Sequence, residues 1–298
     1  MTEEEAKDHM GLRPVSDMGP AWQGRSDDKE SKRGNGKGKK GRGRGLNNVP
    51  NYKNWAEEGY MHPVKNQGSC GSCWAFSVTT TLEGTLAVKT GQKYECSSGG
   101  YCLRMSEQQG VDCTLTATEG GTYNPVDYGC YGCGGCWMEN FYDYIQDNGI
   151  MNYNEYPYQA KQLGSCNYNP NNIGKISGVN FISRWNWNGQ QDLDDMIGRV
   201  AMQPVDVAVG AGGDPFMWYS GGIVRATAGC NTALDHAVVV VGYELCGSDG
   251  TDGGDGGDGG DGGDNGDNTD PNPPPPPSSC SVDKWWYSCQ ETTARRQL

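Results

Sequence analysis

Two stretches of this chain cannot contribute to a packed core, and they bound what lies between them. Residues 31–45 hold seven Lys and Arg, with no acid and no large apolar side chain. Residues 249–270 place Asp at 249, 252, 255, 258, 261, 264, 267 and 270, spaced largely by glycine. Neither can bury enough apolar surface to offset the entropy of ordering. The first reads as a solvated, protease-accessible linker over 27–46. The second reads as a self-repelling, extended spacer, continued by the stiff run Pro273–Pro277. It lacks the ligand spacing and the Glu of an EF-hand loop. The tail at 280–298 has two Cys and two adjacent Trp but is too short to fold alone. The foldable part is therefore 47–246, with 1–26 ahead of the linker and 247–279 behind as spacer.

The net charge is −13, and the chain stays acidic once both biased segments are set aside. A basic nucleic-acid binder is excluded as the default reading. The longest clean apolar run, Ala237–Val241, falls far short of a membrane span. Thirteen Cys are many for a reducing compartment, and the odd count leaves one thiol outside any internal pairing. The start, Met1-Thr-Glu-Glu-Glu, is acidic and has no apolar core of a signal peptide.

Periodicity predicts helices over 72–89, 137–148 and 190–202. In the first, Phe76, Thr80, Leu82 and Leu86 are expected to line one side, with Gly91 as the stop. β-Branched runs follow at 205–209, 222–224 and 236–241. Helices first and strands second predict an α+β fold with segregated layers and a cleft between them.

The chemistry concentrates in Pro63-Val-Lys-Asn-Gln-Gly-Ser-Cys-Gly-Ser-Cys-Trp-Ala-Phe-Ser77. A Gly-rich turn delivers Cys73 to a helix start, where backbone N–H groups and the dipole favour a thiolate. Gln67 precedes it on the adjoining loop and can donate to a developing oxyanion together with the Cys73 N–H. A thiolate needs a base, and the chain has three His. His9 lies in the acidic leader, His62 is expected at the surface, and His236 opens the most apolar strand. His236 is the candidate.

These residues resemble the papain-like cysteine proteases, whose signature is the Cys-Gly-Ser-Cys-Trp segment at 70–74. The resemblance extends over roughly 47–245. It includes Asn48–Trp55 as a mature N-terminus, Ser106–Cys113 with Gly110 where the family has Leu, and Gly132-Cys-Gly-Gly-Cys-Trp-Met138 as a cleft rim. Tyr156-Pro-Tyr158, Cys166–Pro170, Pro204–Ala208 and Leu234–Tyr243 then follow in family order.

The resemblance implies a two-lobed fold, with an N-terminal helical lobe and a C-terminal antiparallel β-barrel-like lobe that is incomplete here. It implies Cys73 as nucleophile, His236 as general acid/base and Gln67 in the oxyanion hole, with no cofactor and no metal. Gly134, Gly135, Trp137 and Met138, with Leu234 and Asp235 opposite, would hold an extended peptide and an apolar side chain before the scissile bond. Cys136 stands where a family Gly contacts substrate. The implied disulfides are Cys70–Cys133 and Cys113–Cys166. Cys96–Cys102 is a plausible local pair. Cys130, Cys133 and Cys136 also have the spacing of a zinc half-site, a reading disfavoured by the implied role of Cys133. The partners of Cys130, Cys136, Cys230, Cys246, Cys280 and Cys289 stay open.

The implied function is a monomeric cysteine endopeptidase acting on peptides or proteins, secreted or lysosomal/vacuolar. Residues 1–26 would be the remnant of an inhibitory propeptide, with a signal peptide upstream. The departure is at the far end. The family's Asn-Ser-Trp triplet after the His, whose Asn orients the imidazole, does not occur in this chain. The alternative reading is thus a catalytically impaired homologue acting as a binding or decoy protein.

Overall fold

A computed structural model of the chain describes residues 12, 49–94, 103–116, 127–170, 173–176, 178–179, 190–212, 214–219, 233–245 and 284–288. The expected strand at 222–224, the pair Cys96–Cys102, His9, and Cys230, Cys246, Cys280 and Cys289 lie outside these residues.

The order is β1 (Tyr52–Asn54), α1 (Cys73–Thr90), α2 (Glu107–Cys113), α3 (Met138–Asn148), β2 (Ile150–Met151), β3 (Ile173–Gly174), α4 (Gln190–Val200), β4 (Val205–Val209), α5 (Asp214–Met217), β5 (His236–Glu244) and β6 (Lys284–Ser288). Helices come first and the main sheet comes later, so the fold is α+β. No helix among the described residues is long and apolar enough to cross a membrane.

The first helix stops as expected, at Gly91 with φ 70° and its N–H on the Val88 carbonyl. Its burial departs from the expected single face. Cys73 through Thr81 are all buried, whereas Leu82 is half-buried and Leu86 is exposed. The reason is that α1 is packed on several sides at once, by α2, α3 and the sheet. A helix covered all round shows no apolar stripe. The buried Thr79 hydroxyl turns back on its own helix, donating to the Phe76 carbonyl at 3.1 Å.

Helix α2 begins at the capping Ser106, whose Oγ accepts from Gln109 N–H at 3.0 Å. Gly110, at the position where the family has Leu, is filled from the next helix. A Cβ there would sit 2.9 Å from the ring of Phe141, which meets Trp74 edge-to-face at 5.6 Å between centroids.

Strand β5 is buried along eight of its nine residues, which explains its unbroken apolar run. It is antiparallel to all three of its partners. Strand β4 pairs along its first half, from Val209↔His236 to Val205↔Val240, and β1 along its end. Strand β6 takes the opposite edge, pairing from Val239↔Ser288 to Glu244↔Lys284. Residues 284–288, assigned by sequence to the tail, thus supply a strand of the sheet. The sheet is not closed into a barrel among the described residues.

A buried charge cluster joins the loop before α1 to the helical layer. Lys65 Nζ lies 2.8 Å from carboxylate oxygens of both Glu83 and Glu107, and all three side chains are buried. Two acids share one ammonium. Burial pushes Glu83 up to about 7 and the Glu107 charge adds to it, against the pull of Lys65.

Unfolded, Glu83 would titrate near its ordinary 4.5. Its folded pKa is raised, so between 4.5 and 7 the folded state binds more protons. Stability from this group is full below the lower value and is lost as pH rises through the upper one. The urea midpoint should fall between about pH 5 and about pH 7.5, and Glu83→Gln should make that slope shallower. A midpoint that rises over the same range would contradict the assignment.

Candidate active site

The turn Gly68–Ser72 reverses the chain into α1, and the disulfide Cys70–Cys133 pins it to the rim loop. Gly71 N–H donates to the Cys133 carbonyl at 3.0 Å across the same contact. Ser72 occupies the cap position without capping: its hydroxyl lies 2.6 Å from Tyr158 Oη. Cys73 therefore opens a helix whose first turn has no side-chain cap, which leaves the positive dipole end facing the thiol. Cys73 is fully buried and, among the described residues, is the cysteine that is in no disulfide.

Gln67 is also fully buried. Its Nε2 donates to the Cys70 carbonyl at 2.8 Å, which fixes the plane of the amide on the turn leading to Cys73. Tyr158 donates from its hydroxyl to the Gln67 carbonyl at 2.7 Å. One phenol thus ties the Gln loop to the helix start, and burial pushes that phenol well up.

His236 is the first residue of β5 and is 5% exposed. Phe216 from α5 meets its ring edge-on at 6.3 Å. One bond sets the helix against the strand: Ser77 Oγ donates to the Val238 carbonyl at 3.2 Å. Ser77 is one turn beyond Cys73 and on the same helix face, and Val238 is two residues beyond His236 on the same strand face. One helical turn and two strand residues both span about 5–7 Å. His62, by contrast, is half-buried rather than on the surface, stacked edge-on to Tyr94 at 4.6 Å.

The rim residues divide. Gly134 is exposed and Gly135 buried, at the end of a 3-10 turn over Gly132–Gly134. Trp137 and Met138 are buried and Leu234 is exposed, and all three line a cavity of about 740 Å³ between α1, α3 and β4. The Asp235 carboxylate accepts from Ala211 N–H at 2.6 Å and Gly212 N–H at 3.0 Å, so it anchors the loop after β4. Its carbonyl accepts from Leu12 N–H at 3.1 Å. Leu12, from the leader, is buried in the same apolar cluster as Cys73, Met138 and Ala237.

Both implied disulfides, Cys70–Cys133 and Cys113–Cys166, are present. A third joins Cys130 to Cys136. The three cysteines with zinc half-site spacing are all in disulfides. Among the described residues no cluster of His, Cys, Asp and Glu suits a metal ion.

Cys73 at an uncapped helix start, His236 opening the strand docked on that helix, and Gln67 on the adjoining turn thus come from neighbouring elements. The profile described as papain family cysteine protease matches residues 49–252, and the chain belongs to that family. Caricain of Carica papaya is 36% identical over 205 residues, covering 68% of this chain and 50% of caricain. Digestive cysteine proteinase 2 of Homarus americanus is 37% identical over 198 residues, covering 66% of this chain and 52% of the relative. The chain thus spans about half the length of these relatives. Digestive procathepsin L2 from the Tenebrio molitor larval midgut superposes with a TM-score of 0.55 at 31% identity, over 82% of this chain and 67% of that one. The Carica candamarcensis cysteine protease CMS1MS2, in complex with E-64, gives 0.51 at 34% identity, over 66% and 78%.

The sequence singles out Cys73, Gln67 and His236 but not the side chains that hold their elements together. Tyr158 carried a signal only as part of Tyr156-Pro-Tyr158, and Ser77 only as the last residue of the segment 63–77. Tyr158→Phe leaves the Gln67 carbonyl and the Ser72 hydroxyl short of a partner. It should cost about 1–3 kcal/mol in urea unfolding; an unchanged midpoint would show that the phenol is not a structural tie.

Proposed function

We propose that this chain is a cysteine endopeptidase in which Cys73, His236 and Gln67 carry the reaction. The observation that carries the reading is a buried cysteine outside the disulfides at the start of α1, with His236 opening the strand that Ser77 docks against the same helix. The helix dipole and an imidazolium at His236 favour the Cys73 thiolate. The thiolate attacks the scissile carbonyl. The oxyanion receives N–H donors from the Gln67 amide and the Cys73 backbone. Collapse expels the amine, which takes a proton from His236, and leaves an acyl thioester on Cys73. His236 then deprotonates water, which releases the acid and the thiol. No cofactor enters these steps.

Peptides or proteins are the proposed substrates, and the working form is a monomer with neither nucleic acid nor membrane as partner. The three disulfides suit an oxidising or extracytosolic compartment, secreted or lysosomal/vacuolar. Leu12, buried beside Cys73 and bonded to the Asp235 carbonyl, supports the reading of 1–26 as a propeptide remnant over the cleft. The second reading, an impaired homologue acting as a binding or decoy protein, is favoured by the lack of an Asn-Ser-Trp triplet after His236.

Labelling by an epoxysuccinyl peptide separates the two. The enzyme reading expects Cys73 to be labelled and labelling to fail in His236→Ala; a well-folded protein that takes no label supports the decoy. Cys73→Ser should abolish peptide hydrolysis with an unchanged circular dichroism spectrum. Gln67→Ala should lower kcat by about 10²–10³, that is about 2.7–4 kcal/mol. An unaltered rate would remove Gln67 from the oxyanion hole.

A further inference from the structure

The turn into α1 is closed by a circuit of hydrogen bonds. Gln67 Nε2 donates to the Cys70 carbonyl at 2.8 Å, and the same carbonyl accepts from Ser72 N–H at 2.7 Å. On the other side, Ser72 Oγ lies 2.6 Å from Tyr158 Oη, which lies 2.7 Å from the Gln67 carbonyl. Proton counting gives each bond its direction. A carbonyl only accepts, so the single phenolic proton goes to Gln67. Tyr158 then accepts at its other contact, and Ser72 donates there. Ser72 Oγ is also 3.4 Å from the Cys70 carbonyl, a longer and weaker alternative.

Both proposed oxyanion donors hang from this circuit. Gln67 is a corner of it through its side-chain amide and through its carbonyl. The amide nitrogen carries two protons, and the bond to Cys70 uses one. The Cys73 N–H belongs to the next peptide after Ser72. The turn between the donors holds Gly68 and Gly71 and is pinned at Cys70, its middle, which leaves its two ends to be fixed. Tyr158 is the member of the circuit that comes from outside 67–72, and it bonds both ends.

Tyr158 is itself held from behind. Its ring meets Phe76 of α1 edge-on, with 4.7 Å between centroids. Past it the chain is fastened to α2. Gln159 N–H donates to Gln108 Oε1, Gln108 Nε2 donates to the Lys161 carbonyl, and Leu163 N–H donates to Asp112 Oδ1, each at 2.8 Å. Ala160 takes φ 53°, a left-handed backbone that is costly for a residue with a Cβ. That turn sets the Ala160 Cβ 3.0 Å from where a Cβ on Gly68 would stand, so the segment packs directly on the residue after Gln67.

We infer that Tyr158 is a positioning residue for the oxyanion hole: by bonding Ser72 and the Gln67 carbonyl at once, it sets the distance between the Gln67 amide and the Cys73 N–H. Donors stabilise a developing charge only when they are already in place, and a misplacement of about 1 Å can cost about a hundredfold in rate. The inference rests on the peptidase reading for the identity of the two donors, but their placement can be measured without turnover.

The experiment uses the full chain and a peptide amide substrate. Tyr158→Phe keeps the ring and removes both bonds. It should lower kcat by about ten- to hundredfold with KM within about threefold, the pattern of an interaction made only in the transition state. In a Gln67→Ala background the same change should cost less than about threefold, because the donor it positions is gone. Alkylation of Cys73 by iodoacetamide forms no oxyanion and should stay within about twofold of wild type. Should Tyr158→Phe fail to fold, Ser72→Ala removes one arm of the tie and should show the same kcat-specific loss at about three- to tenfold.

An equal loss with and without the Gln67 amide, a loss that falls in KM, or one matched in alkylation would overturn the proposal. A peptide aldehyde gives the independent arm. The Cys73 sulfur adds to its carbonyl carbon, the thiol proton passes to the oxygen, and that oxygen sits where the oxyanion would form. If nothing is hydrolysed yet the aldehyde binds wild type about tenfold tighter than Tyr158→Phe, the peptidase reading fails and the positioning role stands. Equal binding of the two, or none, sinks that role.

Discussion

The bond from Ser77 to the Val238 carbonyl is small in energy, about 0.5–1.5 kcal/mol. Its weight comes from where it falls. It fixes the register between a helix and a strand that are both buried on nearly every side, and close-packed interiors do not slide continuously. With α1 held against β5, the candidate nucleophile and base come from elements more than 160 residues apart in sequence and are set by a single contact. The helical layer then covers one side of α1 and the sheet the other. The cavity occupies the line along which those layers part.

Polar groups inside the fold are arranged around the same helix. Lys65, Glu83 and Glu107 form one cluster, and Tyr142 and Glu139 of α3 with Asp206 of β4 form another. Replacing such groups by apolar ones can be neutral, whereas removing one partner is costly. Burial first, and a neighbouring acid second, make Glu83 and Asp206 hold protons into a range where surface carboxylates are charged.

Legibility from sequence followed the range of the interactions. The helix start at Cys73 and its stop at Gly91 are local and were read from spacing and turn residues. The pairings Cys70–Cys133 and Cys113–Cys166 came only through the family resemblance. Cys130–Cys136 was left open because three cysteines at three-residue spacing fit more than one chemistry. The face expected on α1 was misplaced because a helix packed on several sides loses the pattern that periodicity detects. The strand at 284–288 had a local signal, Trp285-Trp-Tyr287, which resembles the family strand ahead of the Asn, but Ser288-Cys-Gln follows it, and the acidic repeat and the proline run separate it from its partner.

Two disulfides hold the rim loop, one closing Cys130 at its beginning onto Cys136 at its end and one tying Cys133 in its middle to Cys70. A seven-residue segment tied at three points has little conformational freedom left to lose. When a flexible peptide is laid along such an edge, the ordering cost falls on the peptide alone. Shape is then imposed in one direction, from the rigid edge onto the guest, and a guest stiffened by its own sequence is favoured over a floppy one of the same composition.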